Sequence, residues 1–303
     1  MTINVRPLNE RDFNDLHECW CAAFGDYQVK LDLSPSDLNT MLTQNGFSYA
    51  ASVAAFQDGR MVGFLLNGLR TYNGALTAYD TGTAIIPDFR GKGLSGQMFA
   101  EVEKVLHEKD VKRYLLEVLQ ENKRAYNVYL KNGFAIVREF NCLEACADAF
   151  KATVQDITIT PSSFNDCLPL IPTMLEYNPS WQHKTEALQA IKNTLNFYTA
   201  RIGNAAVGYC VFQPSRKRIL QIGAAPSHRE KGVYEALFGR LFADLGDQGK
   251  IMAINIPPDA AQLTRTFKNC GFKSFVDQYE MVKIYPPSAL TDCSGNVEMY
   301  LKT

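Results

Sequence analysis

The chain has 303 residues, 46% hydrophobic and 21% charged, enough to bury real cores and too apolar for a disordered polymer. Lys+Arg 31 against Asp+Glu 32 leaves a net charge of -1, which excludes a global field recruiting nucleic acid or an acidic membrane. No run reaches the roughly 18 apolar residues of a membrane span, and the opening MTINVRPLNERD carries charge and Pro where a secretory signal needs an apolar stretch. A cytoplasmic chain with no membrane or nucleic-acid partner is expected.

In chain order, Ile3–Val5 alternates as a first strand, and Ser34-Pro35-Ser36-Asp37 has the pattern that opens a helix. A hairpin follows, Ala51–Phe56 and Met61–Leu66 about the turn Asp58-Gly59. The apolar run Ala84-Ile85-Ile86-Pro87 then enters Arg90-Gly91-Lys92-Gly93-Leu94-Ser95, which opens a helix with Leu94, Met98, Val102, Val105 and Leu106 apolar. Strand, glycine turn and helix start together have the make-up of an anion site, and taken alone they fit an ordinary glycine-rich loop of an α/β protein equally well. The first helical amides have no intrahelical partner, and Gly91 and Gly93 tolerate left-handed φ without a Cβ in the way. Residues 115–134 add a short apolar strand, a polar turn and a helix stopped by Gly133.

The second half repeats the first. Pro87 through Leu94 recurs as Pro226-Ser227-His228-Arg229-Glu230-Lys231-Gly232-Val233, Gly133-Phe134 as Gly271-Phe272, and Val62-Gly63-Phe64 as Val207-Gly208-Tyr209. Registers agreeing at roughly 140 residues indicate a duplicated domain-sized unit. Two domains are expected, 1–147 and 156–303, with the boundary between Cys146 and Gln155. Ile157–Ile159 and the turn Gly203-Asn204 match the first half's strand and hairpin.

None of the eight cysteines forms a Cys-x2-Cys pair, and the four histidines do not cluster with them; free thiols and no metal are expected. The tight basic cluster Arg216-Lys217-Arg218 is expected in a solvated hairpin turn.

The two motifs of the first half resemble those of the GCN5-related N-acetyltransferase (GNAT) superfamily. Arg90, Gly93 and Ser95 match its coenzyme A pyrophosphate motif, with Ser95 departing from the usual Gly or Ala. Val118, Asn122, Ala125, Tyr129, Lys131, Gly133 and Phe134 match its second signature. The resemblance implies an α/β fold of two tandem domains, each a twisted mixed sheet flanked by helices. It also implies acetyl-CoA as acyl donor and a small-molecule or peptide amine as acceptor. The coenzyme's pantetheine arm would pair with Ala84, Ile85 and Ile86. Its pyrophosphate would meet Arg90, Gly91, Lys92, Gly93, Leu94, Ser95 and Gly96, and Asn122 would touch the arm.

The same resemblance gives Tyr129 as the acid protonating the coenzyme thiolate, and Glu117 as general base. Asp80, on the strand entering Ala84, is the rival carboxylate facing the cleft. Asp26 and Tyr27 are candidates for meeting a cationic amine, or for turn and packing residues. In the second half, Phe267 stands in the Tyr129 register and has no proton to give, Glu230 replaces Lys92, and Tyr234 should crowd the pyrophosphate site. That half is expected to have lost catalysis, serving as a wall of the acceptor site or a homodimer surface. The leading expectation is an N-acetyltransferase with direct attack in a ternary complex. The alternatives are a non-catalytic acyl-CoA sensor or interaction module, and a peptidyl-transfer enzyme using aminoacyl-tRNA; the lack of a basic helix or aromatic-interleaved basic patch in the sequence weighs against the last.

Overall fold

The computed structural model describes residues 3–26, 32–150, 156–246 and 249–286. The first half of the chain runs β1 (Ile3–Pro7), α1 (Phe13–Phe24), α2 (Pro35–Gln44), β2 (Val53–Gln57), β3 (Arg60–Tyr72), β4 (Ala75–Ile85), α3 (Leu94–Glu108), β5 (Arg113–Leu119), α4 (Lys123–Lys131) and β6 (Ala135–Cys146). The second half runs β7 (Thr158–Ser162), α5 (Phe164–Cys167), α6 (Ile171–Met174), α7 (Thr185–Ala190), β8 (Asn196–Ile202), β9 (Ala205–Gln213), β10 (Arg218–Ala224), α8 (Val233–Leu245), β11 (Lys250–Ile256), α9 (Ala261–Asn269) and β12 (Lys273–Ile284).

Local chemistry accounts for these elements. Ser34 caps α2 by accepting from the Asp37 amide, with Pro35 in the first turn. In α1, Leu16, Cys19, Trp20 and Ala23 recur at helical spacing and are all buried. Asp58 and Gly59 both take positive φ, 51° and 82°, the hairpin geometry whose twist matches the strands it joins.

Two compact units result, and they do not coincide with the boundary expected between Cys146 and Gln155. The first comprises Met1–Glu117, Arg124–Val137 and Glu280–Thr303; the second comprises Val118–Lys123 and Arg138–Tyr279. Thus most of β6 belongs to the second unit and the end of β12 to the first. Residues 151–155, within the expected linker, lie outside the described residues.

In the first unit the strand order is β1-β2-β3-β4-β5-β12; neighbours are antiparallel from β1 to β4, and β4 with β5 is parallel. In the second unit it is β7-β8-β9-β10-β11-β6, antiparallel from β7 to β10, parallel at β10–β11 and antiparallel at β11–β6. Each unit therefore has the expected mixed sheet flanked by helices. Alternation along β8 and β9 divides the second core in two: Tyr198, Cys210 and Phe212 pack with α8 and α9, while Phe197, Tyr209 and Val211 pack with α5 to α7.

The two units share a defect at the same place. In β4, Leu66 opposes Gly82 and Asn67 opposes Asp80, leaving Thr81 as the extra residue of a bulge. In β10, Gln221 opposes Val211 and Ile219 opposes Phe212, so Leu220 is the extra residue. The parallel pairing then stops short: β4 meets β5 only from Thr77 to Asp80, and β10 meets β11 only at Arg218 and Ile219. Beyond those points the two parallel strands part, leaving the last residues of β4 with a hydrogen-bonded neighbour on the β3 side alone.

Candidate active site

The glycine turn forms the first component of the site. Gly91 and Gly93 take φ of 78° and 74°, and Gly93 caps α3 in the left-handed region with no side chain bonded to the helix start. A Cβ built at Gly91, Gly93 or Gly96 meets no heavy atom within 4 Å, so the backbone here is bare on its outer side. The first turn of α3 contains no acidic residue, and Leu94 turns its side chain into the core, contributing only its amide. Ser95 is half-buried. Lys92 places its ammonium over the Phe89 ring, 4.9 Å from the centroid. Backbone amides at the positive end of a helix, three bare glycines and a nearby ammonium fit a diphosphate.

Arg90 does something else. Its Nε donates to the Ile85 carbonyl (2.9 Å), its Nη2 to the Ala23 carbonyl (2.8 Å), and Nη1 and Nη2 form a two-point ion pair with Asp26 at 2.5 and 2.8 Å. Protein acceptors engage the guanidinium on every nitrogen, and it clamps the end of α1 to the glycine turn. Asp26, expected against an amine, is the other half of the clamp; the arginine holds its carboxyl below the usual range. Tyr27 lies outside the described residues.

The second component lies where β4 and β5 part. Ala84 and Ile85 pair with Phe64 and Gly63 of β3, and the Ile86 amide donates to the Val62 carbonyl. The β5-side edge of this segment is the one an extended arm could join as an added strand. Asp80, the last residue in register with β5, is buried. Its Oδ2 accepts from the hydroxyls of Thr83 (2.8 Å) and Tyr129 (3.3 Å). Burial raises the carboxyl to about 6, against the opposing effect of those hydrogen bonds. The Tyr129 ring is held edge-on between Phe99 and Phe134, 6.0 and 5.8 Å between centroids.

Thr83 was missed by sequence reading, for a definite reason. In a regular strand residues three apart face opposite sides; the bulge at Thr81 brings Asp80 and Thr83 to the same side. The Asp-x-x-Thr spacing next to a glycine was the available signal. Tyr114, wholly buried on β5 and feeling the Asp80 charge, was also missed. Glu117 follows Leu116, the cross-strand partner of Asp80, so it faces the opposite side of β5 and is half-buried there. Asn122 lies in the turn before α4, its amide donating to the Leu119 carbonyl (3.0 Å), among the residues of the second compact unit.

The second unit repeats the scaffold with apolar side chains at the positions of Asp80, Thr83 and Tyr129. Ile85 and Ala224 are equivalent, each just before an amide bonded to Val62 or Val207, and from there the matched bulges set Asp80 against Ile219 and Thr83 against Ile222. Tyr129 corresponds to Phe267, held between Phe238 and Phe272 at 4.9 and 4.7 Å. Gly232 keeps the left-handed cap at φ 82°. Tyr234 does not crowd the helix start as expected. Its ring is in the core, and its hydroxyl donates to Glu176, which also accepts from the Leu263 amide (both 3.0 Å) and faces Arg229 at 3.6 Å. A partly buried carboxylate of the chain itself thus sits among these donors.

Among the described residues no helix is long and apolar enough to cross a membrane, and no group of three or more His, Cys, Asp or Glu is placed to hold a metal ion. Mixed sheets flanked by helices, each entered by a glycine turn, give the chain a fold shared with solved GNAT structures. Residues 13–134 match the model of the acetyltransferase (GNAT) family. A solved tandem GNAT protein from the clavulanic acid biosynthesis pathway superposes with TM-score 0.71 at 13% identity, over 95% of this chain and 100% of that one. A GCN5-related N-acetyltransferase from Sphaerobacter thermophilus gives 0.67 at 14% identity, over 93% and 95%. A putative acetyltransferase from Pyrococcus horikoshii gives 0.64 at 16%, over 94% and 90%. No curated protein matches the chain.

Proposed function

We propose that this chain is an acetyl-CoA-dependent N-acetyltransferase for a primary amine, with its active site in the first unit. The observation that carries this reading is the exchange of a whole polar set between matched positions. Asp80, Thr83 and Tyr129 stand where the second unit has Ile219, Ile222 and Phe267. The repeat folds with apolar groups there, and burying a carboxylate costs stability. The polar set therefore serves chemistry rather than the fold.

The backbone amides at Gly91 to Gly96 would hold the diphosphate, and the free edge at Ala84 and Ile85 would align the pantetheine arm; when bound, the coenzyme supplies the activated acyl group. Glu117, on the other side of β5, is the base that takes a proton from the acceptor ammonium. The freed amine forms the new C–N bond as the C–S bond breaks, its nitrogen losing a second proton to solvent, and Tyr129 gives its own proton to the departing sulfur. A phenolate beside an ionised Asp80 would be two buried anions in contact, which is unfavourable. Asp80, whose carboxyl burial raises to about 6, therefore takes up a proton from solvent as the phenolate forms and passes it to the Tyr129 oxygen. Thr83 orients the carboxylate.

The test is thiol release from acetyl-CoA across a panel of amines, amino acid derivatives, polyamines and N-terminal peptides, with the product identified by mass spectrometry. Acceptor-dependent release that vanishes in Tyr129→Phe supports the reading. Tight coenzyme binding without transfer to any acceptor would select the acyl-CoA-binding module instead.

A further inference from the structure

Arg218 opens β10 in the second unit, in register with Met252 of β11. Sequence reading expected it in a solvated turn with Arg216 and Lys217. The turn does form, with Lys217 in the left-handed region, yet Arg218 lies past it and is largely enclosed by the sheet. Its Nε is buried, and among the described residues it has no acceptor. The enclosure, together with Arg216 beside it, depresses the guanidinium to about 10.

The neighbouring groups do not neutralise it. His183 is 1% exposed, its Nε2 is buried with no partner among the described residues, and burial with the Arg218 charge holds the ring neutral, down to about 3. His183 is fixed over the strand by a relay: Tyr209 donates to Gln221 Oε1 and Gln221 Nε2 donates to the His183 carbonyl, both at 2.9 Å and both buried. The acid in register on the next strand but one is Glu144, beside Met252, and it is engaged by Lys250 at 2.7 Å. Arg138 and Lys184 bind the carbonyl and side chain of Asn178, adding positive charge to the same unit.

The fold does not require this charge. The equivalent β4 position, just before Asp80, is Tyr79, buried and uncharged. An enclosed guanidinium with no anion destabilises the protein that carries it, and its planar fork of donors suits an oxyanion. We propose that Arg218, flanked by Arg216 and backed by His183 on the Tyr209–Gln221 relay, is a binding site for a compact oxyanion, the carboxylate or phosphate of a small metabolite.

The test is thermal denaturation of the full chain in chloride at constant ionic strength, titrated separately with inorganic phosphate and with succinate, for the parent, Arg218→Met and Arg218→Lys. The parent is expected to show a saturable rise in Tm with at least one anion, the larger response telling phosphate from carboxylate. Arg218→Met should abolish that rise while melting in chloride at or above the parent temperature, because an unpaired buried charge has gone. Arg218→Lys should weaken the apparent affinity about tenfold through loss of the two-point contact. No saturable rise in the parent, or an undiminished rise in Arg218→Met, overturns the proposal. If Arg218→Met does not fold, Arg218→Lys decides: unchanged affinity overturns the site.

Discussion

The hydroxyl of Tyr129 donates to Oδ2 of Asp80 at 3.3 Å, joining the end of α4 to the point on β4 where its pairing with β5 stops. Sequence reading had set the two residues apart, one as acid and one as rival carboxylate. Tyr129→Phe should lower kcat by about 10² to 10⁴, the usual range for a lost proton donor, with donor binding little changed. Steady-state kinetics with varied acetyl-CoA measures both, and kcat within twofold of the parent would remove Tyr129 as the acid.

Asp80 also makes a stability prediction. Its carboxyl is raised from 3.8 to about 6 in the fold, so the folded protein binds the proton more tightly than the unfolded chain does. The stabilising contribution is complete below about pH 4 and is lost as pH rises through 6. Asp80→Asn removes the buried charge and should be more stable than the parent at pH 7.5 by up to about 3 kcal/mol. The gap should close by pH 4. Urea denaturation at both values checks the sign, and a less stable variant at pH 7.5 contradicts it.

Gly93 and Arg90 stand three residues apart in one motif and should behave differently. At φ 74° a β-branched side chain is strained, and its Cβ would project into the bare cradle. Gly93→Val should weaken acetyl-CoA binding by at least about tenfold. Arg90→Met, which loses the clamp on Asp26 and Ala23, should lower Tm and move donor affinity by less than about threefold. Calorimetric titration separates the two, and the reverse order would return Arg90 to the diphosphate.

Glu176 predicts the coenzyme stoichiometry. Because it accepts from Tyr234 and from the Leu263 amide inside the second unit, one acetyl-CoA per chain is expected in the titration. Glu176→Ala leaves those donors unpaired and should cost about 1–3 kcal/mol of stability. Two sites per chain would show that the second unit still takes the coenzyme.

Much of this was legible in the chain. The glycine turn, the α4 signature, the hairpin at Asp58-Gly59 and the duplication are all local patterns, because positive φ, capping and strand alternation are set by a few neighbouring residues. The role of Arg90 was not legible, since its acceptors on Ala23 and Asp26 are distant in sequence. Nor was the inward turn of the Tyr234 ring, which depends on Glu176.

The sequence by itself determined that the chain holds two copies of one α/β unit and that the first copy carries a glycine turn and a Tyr129 segment resembling those of the GNAT family. Tertiary structure alone decided which residues meet. A bulge at Thr81 changes the face on which Thr83 lies, and the parting of β4 from β5 ends beside Asp80. Burial there gives its carboxyl a proton affinity that no neighbour in sequence could supply. Spacing fixes what a residue is next to along the chain; dielectric and hydrogen-bond partners are set by what packs over it.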